Sequence, residues 1–122
     1  MKRDMDLVRK ILIVMSESNM GPHIKWEIEL PDYTREQILH HAHLMGEGGL
    51  IVVADTTFQE DLLPMGQPQW ITWDGHEFLD ATRDPSLWEK AKTTVLNPAG
   101  GAAFSVLLDW AKAQGLRALG VS

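Results

Sequence analysis

A helix-forming segment with strand-like stretches on both sides is the feature that most limits how this chain can fold. Residues 34–49 carry apolar side chains at helical spacing, and Thr34 with Gln37 forms a capping-box pattern at the start. Two glycines then provide a helix-ending signal. Residues 25–30, before the segment, alternate apolar and charged side chains as a half-buried strand does. We therefore expect a mixed α+β domain.

The same patterns predict the other elements. Asp4 is a good N-cap for a first helix, whose apolar residues recur at helical spacing up to Met15. Residues 50–54 and 69–73 are strand candidates joined by a long loop, residues 55–68. Three further helices follow: residues 74–83, residues 84–96 with Pro85 at the first helical position, and a last helix ending near Gly115.

The order helix–strand–helix–strand–wing–strand resembles a winged helix followed by a helical extension. The sequence thus predicts an α+β, winged-helix-like core over residues 1–83. A C-terminal helical extension over residues 84–122 is expected to pack on that core as part of one domain. Between Leu30 and Thr34 there is no room for the second helix of a helix-turn-helix. The likeness is to the scaffold rather than to its DNA-reading motif.

The charge distribution argues against a nucleic-acid surface. The 122-residue chain has a net charge of −6, and residues 21–69 hold only Lys25 and Arg35 as basic residues against eight acidic ones. Nucleic-acid surfaces need clustered Lys and Arg that displace counterions from phosphate. DNA binding stays possible but would depend on a few cations: Lys2, Arg3, Arg9, Lys10 and Arg35.

Several kinds of chemistry lack the residues that they need. The absence of cysteine excludes disulfides, zinc–thiolate sites and thiol nucleophiles. The sequence holds no P-loop, dinucleotide fingerprint or nucleophile elbow, so we expect neither an enzyme nor a cofactor. It also holds no signal-peptide pattern and no apolar run of membrane-spanning length. A soluble, cytoplasmic protein with no membrane contact is the resulting expectation.

Four polar side chains of the central helix fall on one narrow arc: Glu36, His40, His43 and Glu47. We expect this arc to be exposed. It could hold a divalent metal or respond to pH, or it could be a solvated face with Glu–His pairs. A histidine pair on one helix lacks a third ligand, so no metal is predicted, and the arc is assigned to partner binding.

The long loop differs from a DNA-binding wing because it carries Glu60 and Asp61 where Lys or Arg is usual. It also carries four apolar side chains: Phe58, Leu62, Leu63 and Met65. These could cover the domain's own core as a lid. They could instead form an exposed apolar tip, rimmed by acid, that anchors a protein partner. An exposed apolar loop also fits a homodimer interface.

Five tryptophans are many for a chain of this length: Trp26, Trp70, Trp73, Trp88 and Trp110. Aromatic rings could stack on nucleic-acid bases, but no basic residues are interleaved with them. We expect most of them to be buried core anchors.

Several stretches resemble a family of uncharacterised small bacterial and phage proteins that is known only as a domain of unknown function. They are residues 1–12 (MKRDMDLVRKIL), 49–51 (GLI) and 72–81 (TWDGHEFLDA), together with Arg83, Asp84, Trp88 and the Gly100–Gly101 turn. The resemblance implies a winged-helix-like fold and a phage or prophage setting. It implies no catalytic residue.

Two functions from different classes fit these observations. The first is a non-enzymatic regulatory binding module of bacterial or prophage origin that acts through protein–protein contacts, on a host regulator or a defence system. It rests on the acidic surface, the apolar loop and the family resemblance. The alternative is a winged-helix DNA-binding transcriptional regulator, which rests on the scaffold alone.

Overall fold

The computed structural model describes residues 2–18, 28–93, 109, 110 and 113. These residues form a mixed α+β arrangement, as the sequence predicts. The elements within them are α1 (Met5–Ser16), α2 (Arg35–Glu47), β1 (Ile51–Asp55), β2 (Gly66–Ile71), α3 (Trp73–Thr82) and α4 (Pro85–Ala91). No helix in this described part is long and apolar enough to cross a membrane.

The chain divides into two compact units, Met1–Gly75 and His76–Ser122. The packing of a helical extension, residues 84–122, on a core of residues 1–83 stays a prediction.

Helix α1 begins at the predicted cap. The Oδ1 atom of Asp4 accepts hydrogen bonds from the backbone N–H groups of Asp6 and Leu7, at 2.9 and 3.2 Å. These bonds satisfy two of the N–H groups that have no partner in the first turn of a helix. One face of α1 is fully apolar and buried: Leu7, Val8, Ile11, Leu12 and Met15. The helix ends at Ser16 with Glu17 as its C-cap, earlier than the predicted stop at residues 19–22, which themselves lie outside the described residues.

Helix α2 has the predicted capping box. The Thr34 hydroxyl accepts from the Gln37 backbone N–H at 3.1 Å, and the Gln37 side chain accepts from the Thr34 N–H at 2.8 Å. The predicted inward face is buried at Ile38, Ala42 and Met45 and half-buried at Leu39. The helix ends at Glu47 with Gly48 as its C-cap, and Gly49 follows with a φ of 81°, a conformation that glycine adopts without strain.

The predicted hairpin is confirmed. Strands β1 and β2 are antiparallel, with Ile51 opposite Ile71 and Asp55 opposite Gly66, and the register shifts between Val52 and Val53. The second strand lies earlier than predicted at both ends, because it already pairs with Asp55 at Gly66 and α3 begins at Trp73. The loop between the strands therefore spans residues 56–65 instead of 55–68.

The predicted strand at residues 25–30 is not found where it can be checked. Residues 25–27 lie outside the described residues, and residues 28–30 belong to no strand. Within the described residues the sheet therefore has two strands. The alternation at 28–30 is nevertheless reflected in burial, since Ile28 and Leu30 are half-buried and Glu29 is exposed. The apolar side chains line a cleft instead of a sheet face.

The end of β2 is fastened to the residue before β1. The backbone N–H and the hydroxyl of Thr72 both lie within hydrogen-bond distance of the Leu50 carbonyl oxygen, at 3.0 and 2.9 Å. The same hydroxyl accepts from the Gly75 N–H at 3.1 Å in the first turn of α3. A Cβ atom on Gly75 would collide with the Leu50 carbonyl oxygen. This close approach accounts for threonine and glycine in the TWDG stretch.

In the second unit, the rest of α3 and helix α4 contribute an aromatic pair. The rings of Phe78 and Trp88 meet edge to face, with centroids 6.0 Å apart. Asp84 caps α4 by accepting from the Ser86 N–H at 2.8 Å, and Pro85 takes the predicted first position. The continuation of α4 to Leu96 lies outside the described residues, as does most of the last predicted helix.

The expectation that most tryptophans are buried is wrong for two of the described residues. Trp88 is buried and Trp110 is half-buried, but Trp70 is exposed and Trp73 is 79% exposed. Trp73 follows Thr72 at the start of α3, where the turn out of the hairpin directs its ring to solvent. Trp26 lies outside the described residues.

Replacing Gly75 by alanine tests the close approach of α3 to Leu50. Alanine usually stabilises a helix relative to glycine by about 1 kcal/mol. Here the added Cβ has no space, so we expect Gly75→Ala to lower the free energy of unfolding by about 1–3 kcal/mol, measured by urea denaturation. The exposed neighbour His76 provides a control, because His76→Ala should change stability by less than about 0.5 kcal/mol. A more stable Gly75→Ala protein would contradict the contact.

Candidate functional site

His41 joins the start of α1 to α2. Its Nε2 atom accepts a hydrogen bond from the backbone N–H of Asp4 at 2.9 Å, and its Nδ1 atom lies 2.7 Å from the Gln37 carbonyl oxygen. A backbone N–H can only donate and a carbonyl can only accept. The ring is therefore neutral, with its proton on Nδ1. Burial lowers the pKa of His41, whose side chain is 1% exposed.

Asp4 extends this connection to the residues before α2. The Tyr33 hydroxyl donates to Asp4 Oδ2 at 3.3 Å, and the Lys10 ammonium lies 5.2 Å from the centre of the Tyr33 ring. Burial and the adjacent Asp4 carboxylate raise the pKa of Tyr33. The opening stretch of the sequence thus fixes α1 against α2 through its backbone, its carboxylate and a lysine.

The predicted exposed arc of α2 is only partly exposed. Glu36 and Glu47 lie at the surface, but His43 is half-buried and His40 is buried. His40 donates from Nδ1 to the Pro64 carbonyl oxygen at 2.8 Å, so the returning end of the long loop covers it. The helical wheel identified the shared arc correctly, yet it could not show that this loop folds across its middle.

The two histidines of the arc form a stack beside a carboxylate. The rings of His40 and His43 lie 6.2 Å apart and are inclined by 16°. The Nε2 atom of His43 lies 2.5 Å from Glu47 Oε1. No group of three or more metal-ligating side chains is assembled among the residues that the structure describes. The stack instead forms a polar support beneath the loop.

Side chains within the long loop close its base. Asp55 Oδ1 accepts from the backbone N–H and the hydroxyl of Thr57, at 2.9 and 2.6 Å. These bonds lower the pKa of Asp55. The Thr57 hydroxyl oxygen accepts from the Met65 N–H at 2.9 Å, and the Thr56 N–H donates to the Met65 carbonyl at 3.1 Å. The loop is therefore crossed by hydrogen bonds just beyond the two strands.

A second turn closes the loop tip, which we define as residues 58–62. The Phe58 N–H donates to Asp61 Oδ2 at 2.8 Å, and the Asp61 N–H donates to the Phe58 carbonyl at 3.0 Å. The Phe58 side chain is 68% exposed and that of Leu62 is 97% exposed. The loop tip thus holds two large apolar side chains in solvent within a hydrogen-bonded turn.

The four apolar side chains of the loop have different roles. Met65 is buried and Leu63 is half-buried, as a lid would require. Phe58 and Leu62 point outward, as an anchoring tip would require. The inner end of the loop thus fixes it to α2, and the outer end is open to contact.

A cleft of about 520 Å³, which the sequence did not indicate, lies between residues 28–33, the first half of α2 and the start of β2. Its lining is mixed, and the apolar side chains in it include Ile28, Leu30, Ile38, Leu39 and Pro68. Two opposite charges, Glu29 and Arg35, also line it, and both residues are exposed. Its size falls within the roughly 300–1,000 Å³ typical of ligand sites. The one sequence pattern that fits this surface is the alternation of apolar and charged side chains at residues 28–30, which by itself indicates a strand.

Residues 2–102 match the family described as hypothetical protein (DUF2513), and the chain belongs to this family. It is also similar to an uncharacterized protein of Haemophilus influenzae, with 28% identity over 95 residues that cover 78% of this chain and 79% of the relative. No solved structure matches the chain. The predicted membership in a family of unknown function is thereby confirmed, whereas its phage setting stays a prediction.

The neutral state of His41 should make stability depend on pH. The folded pKa lies below the ordinary value of 6.5, so the unfolded chain binds the proton more readily below about pH 6.5. The stabilisation is complete above that pH and should fall as the pH decreases towards the folded pKa. We expect the free energy of unfolding, measured by urea denaturation, to decrease between about pH 7 and pH 5.

Substitutions test whether His41, and not another histidine, causes this pH dependence of stability. His41→Leu leaves the Asp4 N–H without its partner, so it should lower stability at neutral pH by about 1–3 kcal/mol and flatten the acid dependence. His76→Gln, at an exposed position, should keep the wild-type slope. An unchanged slope in His41→Leu would contradict the assignment of the neutral ring.

Proposed function

We propose that this chain is a non-enzymatic regulatory binding module that acts through protein–protein contacts, with the loop tip as its principal contact surface. The observation that carries the proposal is the hydrogen-bonded turn that keeps Phe58 and Leu62 exposed. Large apolar side chains held in solvent on an ordered turn are typical of interface anchors. Because the turn is already closed, little conformational entropy is lost on binding.

The charges around the loop tip indicate the kind of partner. Asp55, Glu60 and Asp61 lie in or beside the loop, whose residues 55–68 hold no Lys or Arg. A partner with an apolar pocket rimmed by basic residues would match this surface. Complementary rim charges mainly accelerate association and exclude wrong partners, whereas the buried apolar anchors supply most of the affinity.

The predicted partner-binding residues then divide into contacts and supports. Phe58, Leu62 and the exposed carboxylates of Glu36 and Glu47 are available for contact. His40 and Met65 are buried and hold the loop on α2. His43 and Leu63 are half-buried, so they are intermediate between the contact residues and the support residues.

We further propose that α1, α2 and the hairpin belong to a winged-helix-like core in which the loop is the wing. A wing that contacts DNA usually presents basic side chains, and this one presents acid around an apolar tip. The module would serve a bacterium or prophage in the cytoplasm by binding a host regulator or a protein of a defence system. The similarity to a protein of Haemophilus influenzae supports the bacterial part of this setting, and the acidic loop favours a protein partner over DNA.

Replacing Leu62 by aspartate tests the contact surface. Because Leu62 is 97% exposed, Leu62→Asp should leave the thermal unfolding midpoint unchanged. It should reduce capture of a partner from native-host lysate at least about tenfold, as loss of an apolar hot spot does. Captured proteins would be quantified by mass spectrometry. The matched control is Gln59→Asp, which adds the same charge to the same exposed turn without removing an apolar side chain.

Equal capture by wild type and Leu62→Asp would contradict the proposed surface. The competing function is a DNA-binding transcriptional regulator, and it predicts binding to random duplex DNA that weakens steeply as salt increases. We expect no such binding at low ionic strength. Salt-dependent binding that is lost in Arg35→Gln would favour the regulator instead.

A further inference from the structure

We propose that the loop tip of one copy of this chain docks into the cleft of a second copy, and that two such contacts form a closed dimer. The proposal rests on the proposed function in one respect, because it uses the same loop tip as a protein-binding surface. It adds that the tip binds the cleft of a second copy, which identifies the binding partner of each surface.

The two surfaces match in shape and polarity. The loop tip is a projecting turn that carries two exposed apolar side chains, Phe58 and Leu62. The cleft is a concave surface of about 520 Å³ whose walls combine apolar side chains, among them Leu30 and Leu39, with polar ones. Transferring the two side chains from water into the cleft would remove apolar area from solvent on both copies, which is the main driving force of association.

Charged side chains on the two surfaces would orient the loop tip in the cleft. Arg35 lies at the cleft and is exposed, and no ion pair joins it to another of the described residues. Glu60 is exposed in the loop tip, two residues from Leu62. In the proposed docking Glu60 pairs with Arg35 at the edge of the cleft. A cation opposite an acid also fixes register and disfavours other dockings.

The proposal predicts the direction in which a substitution of Glu29 changes the affinity of the dimer. This carboxylate also lines the cleft and would repel the acidic tip of a second copy. Its removal should therefore strengthen the dimer. If the cleft bound a cationic partner instead, removal of the Glu29 carboxylate would weaken binding.

Symmetry favours a closed dimer. The loop tip and the cleft are different surfaces of the same unit, so one contact alone would join copies head to tail. When a two-fold axis relates two copies, each inserts its tip into the other's cleft, and no tip is left free. The dimer would then cover Phe58 and Leu62, so self-association would compete with the binding of another protein.

Sedimentation velocity on the full chain over a dilution series tests the dimer. We expect wild type to shift reversibly from dimer to monomer on dilution. Leu62→Asp in the tip and Arg35→Glu in the cleft should each raise the dissociation constant at least about tenfold. Trp73→Asp also replaces an exposed apolar side chain by a carboxylate, but it lies outside the tip and the cleft lining, so it should stay within about threefold of wild type. Glu29→Gln should lower the dissociation constant.

Mixing the two weakened proteins provides a complementation test. Leu62→Asp retains a normal cleft and Arg35→Glu retains a normal tip, so one tip–cleft contact is possible in the mixture. A single defect is taken to open its contact, so either variant alone has two open contacts, whereas the mixed dimer has one closed contact and both defects in the other. We therefore expect the mixture to associate more tightly than either variant alone. The double variant Arg35→Glu with Glu60→Arg exchanges the charges and should recover part of the lost affinity.

Three results would overturn the self-docking proposal. They are a wild-type chain that stays monomeric at every concentration, a dimer that neither tip nor cleft substitution weakens, and a mixture that gains nothing over its components. None of them bears on the proposed function, which fails if Leu62→Asp captures its partner as wild type does or if the chain binds DNA through Arg35. The two failures are therefore distinguishable.

Discussion

The hydrogen bond from the Asp4 backbone N–H to His41 Nε2 is the contact on which the arrangement of α1 and α2 depends. It joins residues that are 37 positions apart, and it forms only with a neutral ring whose other nitrogen donates to Gln37. A buried N–H left without a partner costs about 1–3 kcal/mol, which is a large part of the stability of a small domain. With this bond in place, the apolar face of α1 has a fixed position beside α2.

Helix α2 in turn supports the candidate site. Its middle turn binds the returning end of the loop through His40 and the Pro64 carbonyl, and the adjacent Met65 is buried. Thr57 then connects both ends of the loop, and Asp61 closes the tip around Phe58. The exposure of the tip is thus a consequence of order further inside. Contacts that begin at the N-terminus of α1 extend through α2 to a surface suited to protein binding.

Local signals in the sequence predicted local structure well. The caps at Asp4, Thr34 and Asp84 are recognisable because each bonds to a backbone N–H within three residues. The predictions that were wrong concern features that depend on contacts between residues far apart in the sequence. The helical wheel could not show that the loop covers His40, composition could not show that Trp73 faces solvent, and the alternation at residues 28–30 reported burial without strand pairing. The cleft was missed because three separate segments form it.

The proposed contact surface requires a loop that is ordered before it meets any partner. Backbone 15N relaxation in the free monomeric protein tests this claim at four amides whose hydrogen bonds close the loop: Thr56, Phe58, Asp61 and Met65. The structure predicts order parameters of about 0.85, equal to those of α2 and typical of rigid backbone. Values below about 0.6 at these amides, with α2 still rigid, would contradict the account, because the apolar tip would then be a flexible segment.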